Sequence, residues 1–172
     1  MRAPADAERI RALARELGKV APGETAVYLT GGATAVLEGW RPTTVDIDVY
    51  IDPESDAVLR RIAELKDEQD LNVEFASPLD FLPEMPEWRE RSRSRFREGK
   101  VTVLDFDLYS QALSKIERGF EMDLADVREM LDRGLVNPAR LRQLYEAIEG
   151  ELFRFPAVDP EALRSRLDAV LA

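Results

Sequence analysis

The chain has 172 residues and a net charge of −10, with an isoelectric point near 4.7, and it contains neither cysteine nor histidine. That excludes disulfides, thiolate nucleophiles, Ser-His triads and Cys/His zinc sites, and leaves chemistry to carboxylates, lysine, arginine, hydroxyls and a hard cation. The acidic balance disfavours nonspecific nucleic-acid binding, and no apolar run reaches the length of a membrane span.

The N-terminal residues Met1–Glu8 lack the apolar centre of a signal peptide, so the chain is expected to be cytoplasmic with no membrane association. Ala5 to Leu17 carries Ile10, Leu13, Ala14 and Leu17 at helical spacing, with Gly18 placed as its C-cap. Pro22-Gly23 marks a turn before Thr25–Thr30 (TAVYLT), a short β-rich run read as a buried strand. Gly31-Gly32 follows at once, then a helix over Ala33–Glu38. Val45–Ile51 (VDIDVYI) alternates apolar and acidic residues with period two, a strand signal. Pro53 opens a helix over Glu54–Glu68, and Leu71–Phe75 reads as another short strand. Three prolines make Ser77–Trp88 a loop. The Arg89–Arg97 series, interleaved with Glu90, Ser92, Ser94 and Phe96, is open to reading as an RNA- or phosphate-binding arm, but Glu98 and the acidic total favour a mixed-charge exposed helix or partner surface. Lys100–Asp105 is a fourth strand, and Ser110–Arg118, Asp123–Arg133, Pro138–Glu149 and Pro160–Leu171 are helical. This order predicts an α/β core over residues 1–109 and a helical C-terminal region over 110–172, packed as one unit. Tyr28, Trp40, Phe75, Phe81, Trp88 and Phe106 read as core or loop anchors.

One stretch, Leu29–Val49, concentrates the chemistry. Gly31 and Gly32 end a strand and begin a helix, where a backbone without Cβ atoms can approach a phosphate and offer it N–H groups. Thr30 or Thr34 could add a hydroxyl donor. Asp46 and Asp48 stand two apart on a strand, so both carboxylates face the same way, about 7 Å apart at Cα. Bare, they repel by roughly 2 kcal/mol at an effective dielectric near 20. A divalent cation turns that repulsion into a reason for the pairing, and Mg²⁺ favours such sites when phosphate oxygens complete its shell.

Gly31-Gly32 followed by Asp46-Ile47-Asp48 resembles the signature of the nucleotidyltransferase superfamily, Gly-Gly or Gly-Ser and then Asp-x-Asp after roughly ten residues. Arg41-x-Thr43-x-x-Asp46-x-Asp48 looks still closer to the AbiEii-type toxins and MenT-like enzymes. That branch also carries a lysine and an Arg-Asp-x-x-Asp element; this chain has Lys115 and Met122-Asp123-Leu124-Ala125-Asp126, with Met122 in place of the arginine. Ser77–Pro83 and Gln111–Arg118 resemble a small uncharacterised subgroup of the branch.

The resemblance implies a mixed sheet flanked by helices (α/β, or α+β) with a helical C-terminal part. It implies transfer of a nucleoside monophosphate from a nucleoside triphosphate to a hydroxyl acceptor, with Mg²⁺ or Mn²⁺. Asp46 and Asp48 would be metal ligands, Gly31, Gly32, Thr34 and Arg41 would hold the nucleotide, and Lys115 and Asp126 would be auxiliary catalytic residues. The third acid would be Glu74 or Asp105. RNA is one candidate acceptor, and an antitoxin or a second copy of the chain is a candidate partner. On the residues alone, Asp123 also reads as a helix N-cap, and Lys115 as part of a solvated helix face. The alternative to an enzyme is a non-catalytic nucleotide- or protein-binding module on the same fold.

Overall fold

We describe a computed structural model that covers residues 1–172. Two units are distinct within the chain: Met1–Ser77 with Ser92–Asp105, and Pro78–Arg91 with Phe106–Ala172.

The first unit opens with α1 (Ala7–Val20), capped by Asp6, whose carboxylate accepts from the Arg9 N–H at 2.9 Å. The helix passes through Gly18 and ends at Ala21, so Gly18 is not its cap. A Cβ at Gly18 would lie 2.3 Å from the Glu98 carbonyl oxygen, so glycine is required there by a close backbone approach. The strands are β1 (Thr25–Thr30), β2 (Ile47–Asp52), β3 (Val73–Phe75), β4 (Arg93–Glu98) and β5 (Val101–Asp105). They form one sheet in the order β3-β2-β1-β5-β4. β1 is central, antiparallel to β2 and parallel to β5; β3 runs parallel to β2, and β4 antiparallel to β5.

Alternation sends Val27, Leu29, Ile47, Val49, Ile51, Val73, Val101 and Val103 to one face, where they are buried with Ile10, Leu13 and Leu17 of α1 and Val58, Ile62 and Leu65 of α3 (Asp56–Glu68). α3 starts behind Ser55, whose hydroxyl accepts from Val58 N–H, rather than at Pro53. Arg61 of α3 ties the two helices by pairing with Glu16 of α1 at 3.1 Å.

β4 corrects the expectation of an exposed helix over Arg89–Arg97: only Arg89–Arg91 are helical, and the run is a strand from Arg93 on. Its one apolar side chain, Phe96, packs under the Arg11 guanidinium, 4.4 Å from the ring centre. Its pairing with β5 makes the run extended, and its charge suits an edge strand, because charged edges resist pairing with other chains.

In the second unit, α4 (Trp88–Arg91) follows a short 3₁₀ turn at Pro78–Asp80, and α5 (Leu108–Arg118), α6 (Glu121–Asp132), α7 (Pro138–Glu149) and α8 (Pro160–Leu171) complete it. Buried Trp88 stacks on buried Phe106, with ring centres 4.2 Å apart. Phe75 and Phe81, expected as core or loop anchors, are instead 53% and 44% exposed. Asp107 caps α5 and accepts both the Ser110 hydroxyl (2.7 Å) and the Arg91 guanidinium (2.8 and 3.1 Å). No helix is long and apolar enough to cross a membrane.

Candidate functional site

The end of β1 sets the geometry. Thr30 lies opposite Asp48 of β2, and Asp48 lies opposite Glu74 of β3. Residues directly opposed in a ladder share a face, so Thr30, Asp48 and Glu74 form one row across three strands, on the face away from the buried valines. Asp46 precedes β2 by one residue and, two before Asp48, belongs to the same side. Its Oδ1 accepts from Asn72 Nδ2, and the Asn72 carbonyl accepts from Ile47 N–H at 2.8 Å.

The two glycines are forced by what surrounds them. Gly31 has φ +61°, a conformation that disfavours side chains, and a Cβ there would lie 2.9 Å from Asp48 Oδ2. At Gly32, which begins α2 (Gly32–Glu38), a Cβ would lie 2.1 Å from Thr44 Oγ1 and 3.6 Å from Arg41 Nη1. The Asp48 carboxylate thus takes up the space beside Gly31, and Thr44 the space beside Gly32, that side chains there would need, with the Arg41 guanidinium close by. Gly31, Gly32, Arg41, Asp46 and Asp48 are half-buried and Glu74 is exposed, so the row, buried at Thr30, reaches solvent toward Glu74.

Thr34 and Asp105 lie elsewhere. Asp105 ends β5 opposite Leu29, which puts it on the helix-facing side of the sheet, away from Asp48. Its Oδ2 is 3.3 Å from both Arg93 and Arg95, which also pair with Glu38; its Oδ1 is buried without a hydrogen-bond partner. Burial raises the Asp105 carboxyl above the ordinary range. Arg95 and Arg93 oppose the rise, Glu38 adds to it, and the Thr34 hydroxyl opposes it. Thr34 is fully buried, and its hydroxyl reaches the Leu29 carbonyl at 3.4 Å. Of the two candidates for third acid, Glu74 shares a face with Asp48 and Asp105 does not.

The second unit holds its own charged cluster. Lys115 of α5 is buried, its Nζ 2.8 Å from Asp126 and 3.5 Å from Asp123 of α6. Lys115 is thus not on a solvated face. Asp123 is not an N-cap either: α6 begins at Glu121 behind Phe120, and Asp123 faces Lys115 and Arg118 Nε (3.3 Å) from its first turn.

Arg89 through Arg97 are bound up with acids. Arg89 pairs with Glu84, Arg91 with Asp107, Arg93 and Arg95 with Glu38 and Asp105, and Arg97 with Glu24. A run so neutralised offers a weak track to a polyanion. Thr44 and Asn72, which sequence reasoning passed over, are built into the site. Their signal was slight: Thr44 falls between the Arg41 and Asp46 motif positions, and Asn72 sits at the same distance before Glu74 as Asp46 before Asp48.

The family model described as "Nucleotidyltransferase of unknown function (DUF6036)" matches residues 8–155. No curated protein and no solved structure matches the chain. The match spans most of the sequence, and the chain belongs to this nucleotidyltransferase family.

Proposed function

We propose that the chain transfers a nucleoside monophosphate from a nucleoside triphosphate to a hydroxyl acceptor, with pyrophosphate as the leaving group, using the site at the end of β1. The observation that carries this reading is the contact between the Gly31-Gly32 turn and the Asp48 carboxylate, in a row that Glu74 extends. A turn without Cβ atoms accepts a phosphate group at close range, and the acids stand where the triphosphate's cation would be shared.

The donor set fits a hard cation. Asp46 and Asp48 supply carboxylate oxygens from one side of one strand, and no third acidic side chain converges on them to close a cage. Mg²⁺ suits such an open pair, because it keeps waters and takes phosphate oxygens as further ligands; Mn²⁺ shares these donors. Bound there, the cation would neutralise developing charge on the phosphates. Asp46 and Asp48 would hold it, Arg41 would face the nucleotide beside Gly32, and Glu74 would accept the acceptor's proton. Lys115 and Asp126 neutralise each other inside the second unit, and this reading uses them as the support of α5 on α6. A toxin role of the AbiEii kind would be one biological use of the same chemistry. The paired arginines favour an acceptor other than a long polynucleotide.

The rival is a nucleotide- or protein-binding module without catalysis, favoured by the absence of a three-acid cluster. Titration calorimetry with each nucleoside triphosphate, with and without Mg²⁺, first separates a nucleotide site from a protein-binding module. Binding that requires Mg²⁺ and disappears in the Asp46→Ala, Asp48→Ala double variant is expected. Transfer of label from an α-labelled triphosphate then distinguishes an enzyme from a binder. A double variant that binds and transfers like wild type would sink the proposal.

A further inference from the structure

Asp46 stands outside β2, yet the arrangement above needs it at a fixed distance from the Gly-Gly turn. One residue touches both the Gly-Gly turn and the peptide of Asp46. The Thr44 hydroxyl donates to the Asp46 carbonyl at 2.9 Å. The same oxygen fills the space over Gly32 that a Cβ would take, and Thr44 Cβ lies 2.8 Å from that point. Thr44 exchanges two backbone hydrogen bonds with Ala5, at 2.8 and 2.9 Å, in a two-residue antiparallel bridge. Ala5 is 1% exposed, so the bridge is anchored in the core. Beyond Asp46, Asn72 holds the carboxylate from the other side.

We propose that Thr44 is the positioning residue of this site. Its backbone is pinned by Ala5, its Cβ and hydroxyl seat the Gly32 turn, and its hydroxyl fixes the peptide that carries Asp46. The hydroxyl donates along the chain and not toward the open row, so Thr44 acts on the ligand only through Asp46 and the turn. The functional half of this inference rests on the nucleotidyl-transfer reading; the structural half rests on geometry alone. Both the shape and the donor matter: serine keeps the donor, whereas valine keeps the bulk and donates nothing.

The test compares Thr44→Val with Thr44→Ser in two measurements. One is Mg²⁺-dependent binding of whichever nucleoside triphosphate the wild type takes. The other is amide hydrogen exchange across residues 43–48, which needs no ligand. T44V is expected to bind about tenfold more weakly or worse, the scale on which support of a metal ligand is felt, and to exchange faster at 45–47. T44S is expected to restore both. Should T44V fail to fold, Thr44→Ala, which relieves bulk, is read in its place. If wild type binds no triphosphate, the nucleotide reading falls and exchange alone decides. Fast exchange in T44V with wild-type exchange in T44S then upholds the positioning role, and unchanged exchange overturns it. Equal losses in T44V and T44S, or undiminished binding in T44V, overturn it as well.

Discussion

Two groups of carboxylates finish the same sheet, on opposite faces, and they are treated differently. Asp46 and Asp48 are half-buried, and the hydrogen bonds placed around Asp46 come from neutral groups, the Asn72 amide and the Thr44 hydroxyl. Asp105 is wholly enclosed beside two guanidiniums, with Glu38 sharing them. A buried carboxylate with cationic neighbours is a structural element, because desolvation and pairing oppose each other inside the protein. Asp46, half-buried and bonded at its carboxylate by the neutral Asn72 amide, keeps its negative charge without a cationic side chain to offset it. The strand register alone, Leu29 against Asp105 and Thr30 against Asp48, makes the division.

The largest way to break this contrast is to remove a charge on the open face. Asp48→Asn is expected to weaken Mg²⁺-dependent triphosphate binding by about 100-fold or more while leaving the urea midpoint near wild type; calorimetry and denaturation read the two. Asp105→Asn should do the reverse, keeping binding and changing stability. Next is Gly32→Ala, whose methyl must displace Thr44. It should cost about 1–3 kcal/mol, the usual range for forced overpacking, measured by urea unfolding, and should weaken binding with it. Glu74→Gln is expected to lower label transfer more than triphosphate binding, since this exposed side chain would handle the acceptor's proton rather than the nucleotide; single-turnover and binding assays separate the two.

The smallest effect is confined to pH. The Asp105 carboxyl is raised in the folded state, so above its ordinary value of 3.8 the folded chain holds a proton that the unfolded chain has released. This group's contribution is full below that value and is lost as pH rises through the raised folded pKa. Asp105→Asn removes the titration. Relative to wild type, the variant should gain stability as pH rises from about 4 into the window above it, as followed by thermal melts at a series of pH values. A variant that loses stability relative to wild type as pH rises through this window would count against the buried-acid assignment.

How much of this could be read in the residues varies with how local the signal is. β1 and β2 follow from β-rich composition and strict alternation, and α3 from its apolar spacing, because each is a response to one buried face. The Gly31-Gly32 and Asp46-x-Asp48 elements were legible because their spacing is short. β4 was not, since Arg93–Glu98 has a single apolar residue and is extended only because β5 pairs with it. Gly18 looked like a cap because its true reason, the Glu98 carbonyl, is remote in sequence. Thr44 and Asn72 escaped for the same cause, as polar residues whose meaning lies in what they touch. That Glu74 shares a face with Asp48 while Asp105 does not follows from the register, which no single strand carries.

The seam between Gly18 and Gly99 also bears on how the chain reaches this fold. A Cβ at Gly99 would lie 2.8 Å from the Gly18 carbonyl oxygen, so the turn between β4 and β5 meets α1 backbone to backbone, with no side chain between them. These segments stand at opposite ends of the first unit's sequence. The loop-closure entropy between them has to be met before the seam gives anything back. Correct seating of the β4–β5 hairpin against α1 is therefore a long-range event, decided by segments far apart in the chain.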